Sequence, residues 1–270
     1  MKWHVELDVL IQTVRAGGAE ALRIAAAGFD TTRKSDQSPV TSADLAVNRI
    51  LHTTLRSAFP EDGWLSEESP DDFDRLQRAR VWVVDPIDGT KAFINSEPEF
   101  CISVALVEQG RPIVAAIFNP SLDELYTATK GGGLCFNGKP VTPLTVFGDL
   151  QSIIALSPWE QQVRRFPLTT DNGMVLSRPM RSIAWALALI AGGRIQGLAT
   201  LEPENEWDVA AGALLVEESG GKICDGAGHA LTFNQAEPRY QGTIAIGPSC
   251  PDVLSQRLMR LIDADRYRSD

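Results

Sequence analysis

Apolar positions recur at helical spacing from Val9 to Ala27, through Leu10, Ile11, Val14, Ala21, Leu22, Ile24 and Ala25, and the run stops near Gly28. That pattern predicts an amphipathic helix. A polar stretch, Thr31 to Pro39, carries Lys34, Ser35 and Ser38-Pro39. Thr41-Ser42-Ala43-Asp44 then opens a second helical pattern through Leu45, Val47, Ile50, Leu51 and Leu55, closed by Pro60 and Gly63. Two successive amphipathic helices predict a layer packed over a sheet.

The pattern then changes to strands. Arg80-Val81-Trp82-Val83-Val84 is short and nearly continuous in apolar residues, as a strand buried on both faces would be. Cys101 to Val107 and Pro112 to Phe118 are rich in Val, Ile and Ala, with Gln109-Gly110 as the turn between them. Asn137-Gly138 marks another tight turn. An antiparallel-rich sheet is expected through about residue 145. Beyond it, elements alternate: strands at Gln151 to Leu156, Ile195 to Thr200 and Thr243 to Ile246, and helices at Ser182 to Ala191, Asp208 to Ser219 and Asp252 to Ile262. Gly192-Gly193 and Gly220-Gly221 are natural stops for the first two of these helices. The expectation is an α+β or α/β chain of two sub-domains, 1–147 and 148–270.

Composition narrows the function. The 270 residues suffice for a substantial core, and no apolar run is long enough to cross a membrane. The first eight residues carry acids where a signal peptide would be basic and apolar, so a cytoplasmic location is expected. Cys101, Cys135, Cys224 and Cys250 are scattered without C-x-x-C spacing, which argues for buried thiols over zinc or disulfides. A formal charge of −10 argues against nucleic acid as a partner. It leaves room for a small phosphorylated metabolite, provided divalent cations stand between the anions.

The placement of the acids therefore matters. In Val84-Asp85-Pro86-Ile87-Asp88-Gly89-Thr90-Lys91, two carboxylates follow a buried strand. Asp85 is expected at the strand's end, and the amides of Gly89 and Thr90 are placed to hold an anion. The same hexapeptide also makes a good exposed turn. Ser66-Glu67-Glu68-Ser69 adds a glutamate pair, a pattern equally suited to a solvated face. Asp44 and Asp208 each open a helix, where capping alone would account for them.

Taken together and in order, these segments resemble the motifs of the inositol monophosphatase superfamily of lithium-sensitive phosphatases, over nearly the whole chain. Asp85-Pro86-Ile87-Asp88-Gly89-Thr90 is similar to its signature, and Ser66-Glu67-Glu68-Ser69 to its upstream glutamate motif. Trp207-Asp208-Val209-Ala210-Ala211-Gly212, with Glu217 and Gly220-Gly221, is similar to its C-terminal motif, and Asp44 fits a fourth. Haloacid-dehalogenase phosphatases space their two aspartates two apart, whereas Asp85 and Asp88 are three apart, so direct attack by water is implied.

The resemblance implies a layered αβαβα sandwich with the active site between the sub-domains, two or three Mg2+ ions, and a homodimer. One ion would be held by Glu67, Asp85 and the Ile87 carbonyl, a second by Asp85, Asp88 and Asp208, and a third weakly near Glu67. Asp44, Glu67 and Thr90 would be catalytic, Thr90 and Asp44 as a proton relay, and Asp88, Gly89 and Thr90 would bind phosphate. Lys91, Ser66-Glu67-Glu68 and Glu206 are closer to the bacterial branch that removes the 3′-phosphate from 3′-phosphoadenosine 5′-phosphate. Inositol 1-phosphate and histidinol phosphate are the competing esters, and a non-catalytic metal- or nucleotide-binding protein is the alternative of another class. Lys91, Arg178, Ser182 and Glu202 are the expected substrate contacts.

Overall fold

The structure, a computed structural model, describes residues 2–141, 152–156, 169–170 and 173–252, with 254–256 and 258–259 of the last helix. The junction expected near residue 147 and the side chain of Arg178 lie outside the described residues. The first helix, α1 (His4–Ala27), begins earlier than its apolar periodicity indicates. Glu6 in its first turn favours the helix dipole, so the N-terminal acids belong to the helix. A small hairpin, β1 (Thr31–Arg33) and β2 (Pro39–Thr41), leads into α2 (Ser42–Ala58).

A seven-stranded sheet follows: β3 (Gly63–Ser66), β4 (Arg80–Asp88), β5 (Cys101–Glu108), β6 (Arg111–Asn119), β7 (Glu124–Thr129), β8 (Gly133–Phe136) and β9 (Lys139–Pro140), in that order. Only β3 and β4 are parallel among its pairs; the rest are antiparallel. Alternation along β4 explains its unbroken apolar run. Val81 and Val83 enter one core, and Trp82 and Val84 the other. The Asn137-Gly138 turn joins β8 and β9 as expected.

The second sheet has six strands in the order β11 (Thr169–Thr170), β12 (Gly173–Pro179), β10 (Ser152–Leu156), β13 (Gly197–Asn205), β15 (Arg239–Ile246), β14 (Lys222–Asp225). Between the sheets lie α4 (Ile183–Ala191) and α5 (Glu206–Glu218), with α3 (Thr90–Ile94) a single short turn after β4.

Three cores define five layers. α1 and α2 pack on one face of the first sheet, and α4 and α5 fill the space between the sheets. Leu254 and Leu258 of the last helix cover the outer face of the second sheet. This is the αβαβα sandwich. The layers are tied by polar groups as well: buried Arg75 pairs with Asp71 and donates to Asn234 Oδ1 at 2.7 Å and Gln235 O at 2.9 Å. Glu206, fully buried, accepts the Asn234 and Gln235 amides from the other side. All four cysteines are free, and no helix among the described residues is long and apolar enough to cross a membrane.

Candidate active site

The strand carrying the central acids does not stop at Asp85. β4 continues to Asp88 through a register irregularity against β5, with Asp85 opposite Ser103 and Asp88 opposite Cys101. Pro86 is accommodated because it sits within that irregularity, where no ladder donor is needed. The irregularity places two carboxylates three residues apart beside one another, and the amide of Ile87 donates to Asp85 Oδ1 at 3.0 Å. Glu67 arrives from the parallel neighbour: Ser66 pairs with Val84, and the Glu67 amide continues the ladder to Val84 O at 3.2 Å.

Asp208 comes from the middle helical layer. It is the third residue of α5 and closes a capping box with Asn205, whose amide donates to Asp208 Oδ2 at 2.8 Å. Ser103 Oγ donates to the Trp207 carbonyl at 3.2 Å, fixing the start of α5 against β5 next to Asp85. Capping and clustering are thus both true of Asp208. Carboxylate oxygens of Asp85, Asp88 and Asp208 lie within 4.8 Å of one another. Each is oriented by a hydrogen bond and keeps lone pairs for a ligand.

Asp88 is oriented by α4. Ser182, the N-cap of that helix, donates to Asp88 Oδ2 at 2.7 Å, and the Ala184 amide to the same oxygen at 2.6 Å. Such contact demands a close approach at Gly89, which has φ 92°; a Cβ there would meet Glu99 O at 2.9 Å and Ser182 Cβ at 3.2 Å. Only glycine satisfies both requirements.

The outer helical layer supplies Asp44, the third residue of α2, buried and bonded to the Thr41 amide and hydroxyl in a second capping box. Thr90 Oγ1 lies 3.2 Å from Asp44 Oδ1 and 3.1 Å from the Ile87 carbonyl. Thr90 therefore joins the acid of α2 to the turn that carries Asp85 and Asp88.

Electrostatically the cluster is a set of anions that repel one another. Burial, then the charges of Glu67, Asp88 and Asp208, raise Asp85 well above the usual carboxylate range. Burial raises Asp208 likewise, and pushes Asp88 up to about 7 against the bonds from Ser182 and Ala184. Burial also raises Asp44. No lysine or arginine among the described residues pairs with Asp85, Asp88 or Asp208. Close, partly buried, oxygen-only donors of this kind suit a hard divalent cation such as Mg2+.

Two charged groups were not legible in the sequence. Lys34 follows β1 and reaches Glu67 at 2.6 Å and Glu68 at 2.5 Å, neutralising part of the glutamate pair. Glu204, on β13, is pushed up to about 9 by burial and then by Asp208 and Asp88. Glu202, the expected contact, is exposed. It lies where β13 shifts register against β15 between Thr200 and Pro203, and such a shift breaks the two-residue alternation of faces. Ser182 is buried, with its hydroxyl on Asp88 and on the Trp185 amide. Lys91 is exposed at the start of α3.

The sequence model of the inositol monophosphatase family matches residues 3–259. The 3′(2′),5′-bisphosphate nucleotidase CysQ of Escherichia coli O157:H7 is 31% identical over 243 residues, covering 86% of this chain and 95% of that protein. The Nus factor SuhB of the same organism is 30% identical over 273 residues, covering 95% of this chain and 100% of that protein. The solved structure of the extragenic suppressor protein SuhB from Bartonella henselae superposes with a TM-score of 0.79 at 27% identity, covering 96% and 98% of the two chains. The chain belongs to the inositol monophosphatase family.

Proposed function

We propose that the protein is a Mg2+-dependent phosphomonoesterase and that its substrate is a 3′(2′),5′-bisphosphate nucleotide such as 3′-phosphoadenosine 5′-phosphate. The convergence of Asp85, Asp88 and Asp208 within 4.8 Å carries the reading, because one buried and two half-buried carboxylates meet there with no lysine or arginine among the described residues paired to them. Family membership and the CysQ relative support it. Inositol 1-phosphate is the second candidate ester, favoured by the family match.

Glu67, Asp85, the Ile87 carbonyl, Asp88 and Asp208 would hold magnesium, which when bound supplies activation of a water and charge neutralisation at the leaving oxygen. Gly89 and Thr90 offer backbone amides to the phosphate oxygens. Thr90 takes the proton of the attacking water and passes its own to Asp44 across the 3.2 Å bond. Burial makes Asp44 a stronger base than a surface aspartate, which suits that role. Water adds to phosphorus, the ester P–O bond breaks, and the leaving alkoxide takes a proton from solvent. Ser182 and Ala184 keep Asp88 in place throughout.

The deciding experiment measures phosphate release from 3′-phosphoadenosine 5′-phosphate, inositol 1-phosphate and histidinol phosphate with Mg2+, with EDTA, and with Li+ added. The expected result is Mg2+-dependent, Li+-inhibited release with the nucleotide preferred. A preference for inositol 1-phosphate would replace the substrate, and no release from any ester would remove the enzymatic reading.

A further inference from the structure

The turn that carries Glu67, Ser66-Glu67-Glu68-Ser69, closes on a long hydrogen bond from the Ser69 amide to the Ser66 carbonyl at 3.3 Å. It stands at the end of β3, the first strand of its sheet, which has a neighbour strand on one side. A turn in that position needs anchoring from outside to hold a side chain in one place.

Asn48 of α2 supplies the anchor. Its Oδ1 accepts the Ser66 hydroxyl at 2.8 Å, and its Nδ2 donates to the Glu68 carbonyl at 3.2 Å and to Ser69 Oγ at 3.0 Å. The two serines are tied further: Ser66 Oγ accepts the Glu68 amide at 3.3 Å, and Ser69 Oγ accepts the Trp64 indole N–H at 3.2 Å. None of these bonds falls on a carboxylate. Glu67 and Glu68 point their carboxylates to Lys34 instead. The backbone of the turn is clamped while its charged groups stay available to a cation.

Asn48 lies four residues after Asp44, on the same face of α2. Asp44 reaches Thr90, so one helix face holds both the relay and the turn that presents Glu67. We infer that Asn48 is a positioning residue that sets Glu67 for the divalent ion, acting through the turn and touching neither the ion nor the ester. The inference rests on reading Glu67 as a Mg2+ ligand of a phosphatase centre. It separates two effects. Loss of the clamp loosens Glu67 and weakens the hold on the ion, whereas a general loosening of α2 would displace Asp44 and slow turnover even at saturating Mg2+.

The test titrates Mg2+ calorimetrically into the wild type, Asn48→Leu, Ser69→Ala and Ser69→Thr, and follows phosphate release from 3′-phosphoadenosine 5′-phosphate across Mg2+ concentrations. Asn48→Leu keeps the approximate bulk and removes every clamp bond. Its Mg2+ dissociation constant and its half-maximal Mg2+ concentration should both rise about tenfold or more, with a smaller fall in kcat at saturating Mg2+. Ser69→Ala should move both constants in the same direction by less, and Ser69→Thr, which keeps the hydroxyl, should lie near the wild type. Should Asn48→Leu fail to fold, the Ser69 pair carries the comparison. Unchanged Mg2+ affinity in the folded variants, or a fall in saturated kcat as large as the fall in affinity, overturns the positioning role while the phosphatase reading stands. If the wild type binds Mg2+ and releases no phosphate from any ester, the phosphatase reading falls and the calorimetric constants alone decide for or against the clamp. A wild type that binds no Mg2+ overturns both.

Discussion

The hydroxyl of Thr90 lies 3.2 Å from Asp44 Oδ1, joining the turn after β4 to the first turn of α2. If this pair moves the proton, Thr90→Ala should lower kcat by about 10²–10³ with Mg2+ affinity retained, and Thr90→Ser should recover most of the loss. Steady-state rates and calorimetric Mg2+ titration check both halves. Near-normal turnover in Thr90→Ala would sink the relay.

Asp85→Asn separates stability from function. Removing one charge from the repelling set should abolish Mg2+-dependent phosphate release. In EDTA, however, it should raise the melting temperature, by roughly 2–4 °C per kcal/mol relieved. Melts in EDTA and phosphate-release assays test this together; a lower melting temperature would mean that attractions such as the Ile87 amide bond to Asp85 outweigh the repulsion.

The metal-free fold should weaken as pH rises. Asp88 is raised to about 7, and Asp85 and Asp208 also lie above their unfolded values near about 3.9. A carboxyl with a raised folded value contributes fully below its unfolded value and loses that contribution as pH climbs through the folded one. The melting temperature in EDTA should therefore fall between about pH 4 and 7, and saturating Mg2+ should raise it more at the upper end than at the lower. A Mg2+ increment that is flat with pH would contradict this.

Gly89→Ala should cost about 1–3 kcal/mol, since it combines a positive φ with a 2.9 Å approach to Glu99 O. Because relief of that clash moves Ser182 away from Asp88, Mg2+ affinity should fall as well. Chemical denaturation and Mg2+ titration measure the two effects.

Much of this was legible in the sequence wherever the signal is local. The periodicity of α2 and the buried run of β4 follow from side-chain patterning, and the Asn137-Gly138 hairpin follows from turn chemistry. The site acids were legible as a set because their motifs stand in order. What escaped depends on partners distant in sequence or on broken alternation. Gly63–Ser66 is too short to show a period, and its pairing with β4 is what brings Glu67 to Asp85. Nothing around Lys34 signals a glutamate pair more than thirty residues away. Glu204 cannot be told from Glu202 without the register shift in β13. The extension of β4 past Pro86 was hidden because proline normally ends a strand.

Asp208 belongs to the layer that forms after the first sheet in chain order. A chain still emerging from the ribosome can present Asp85 and Asp88 but not the third carboxylate, and any hold on a divalent ion would be correspondingly weaker. An ion seated among the three aspartates would therefore report a chain that has already brought α5 against the first sheet.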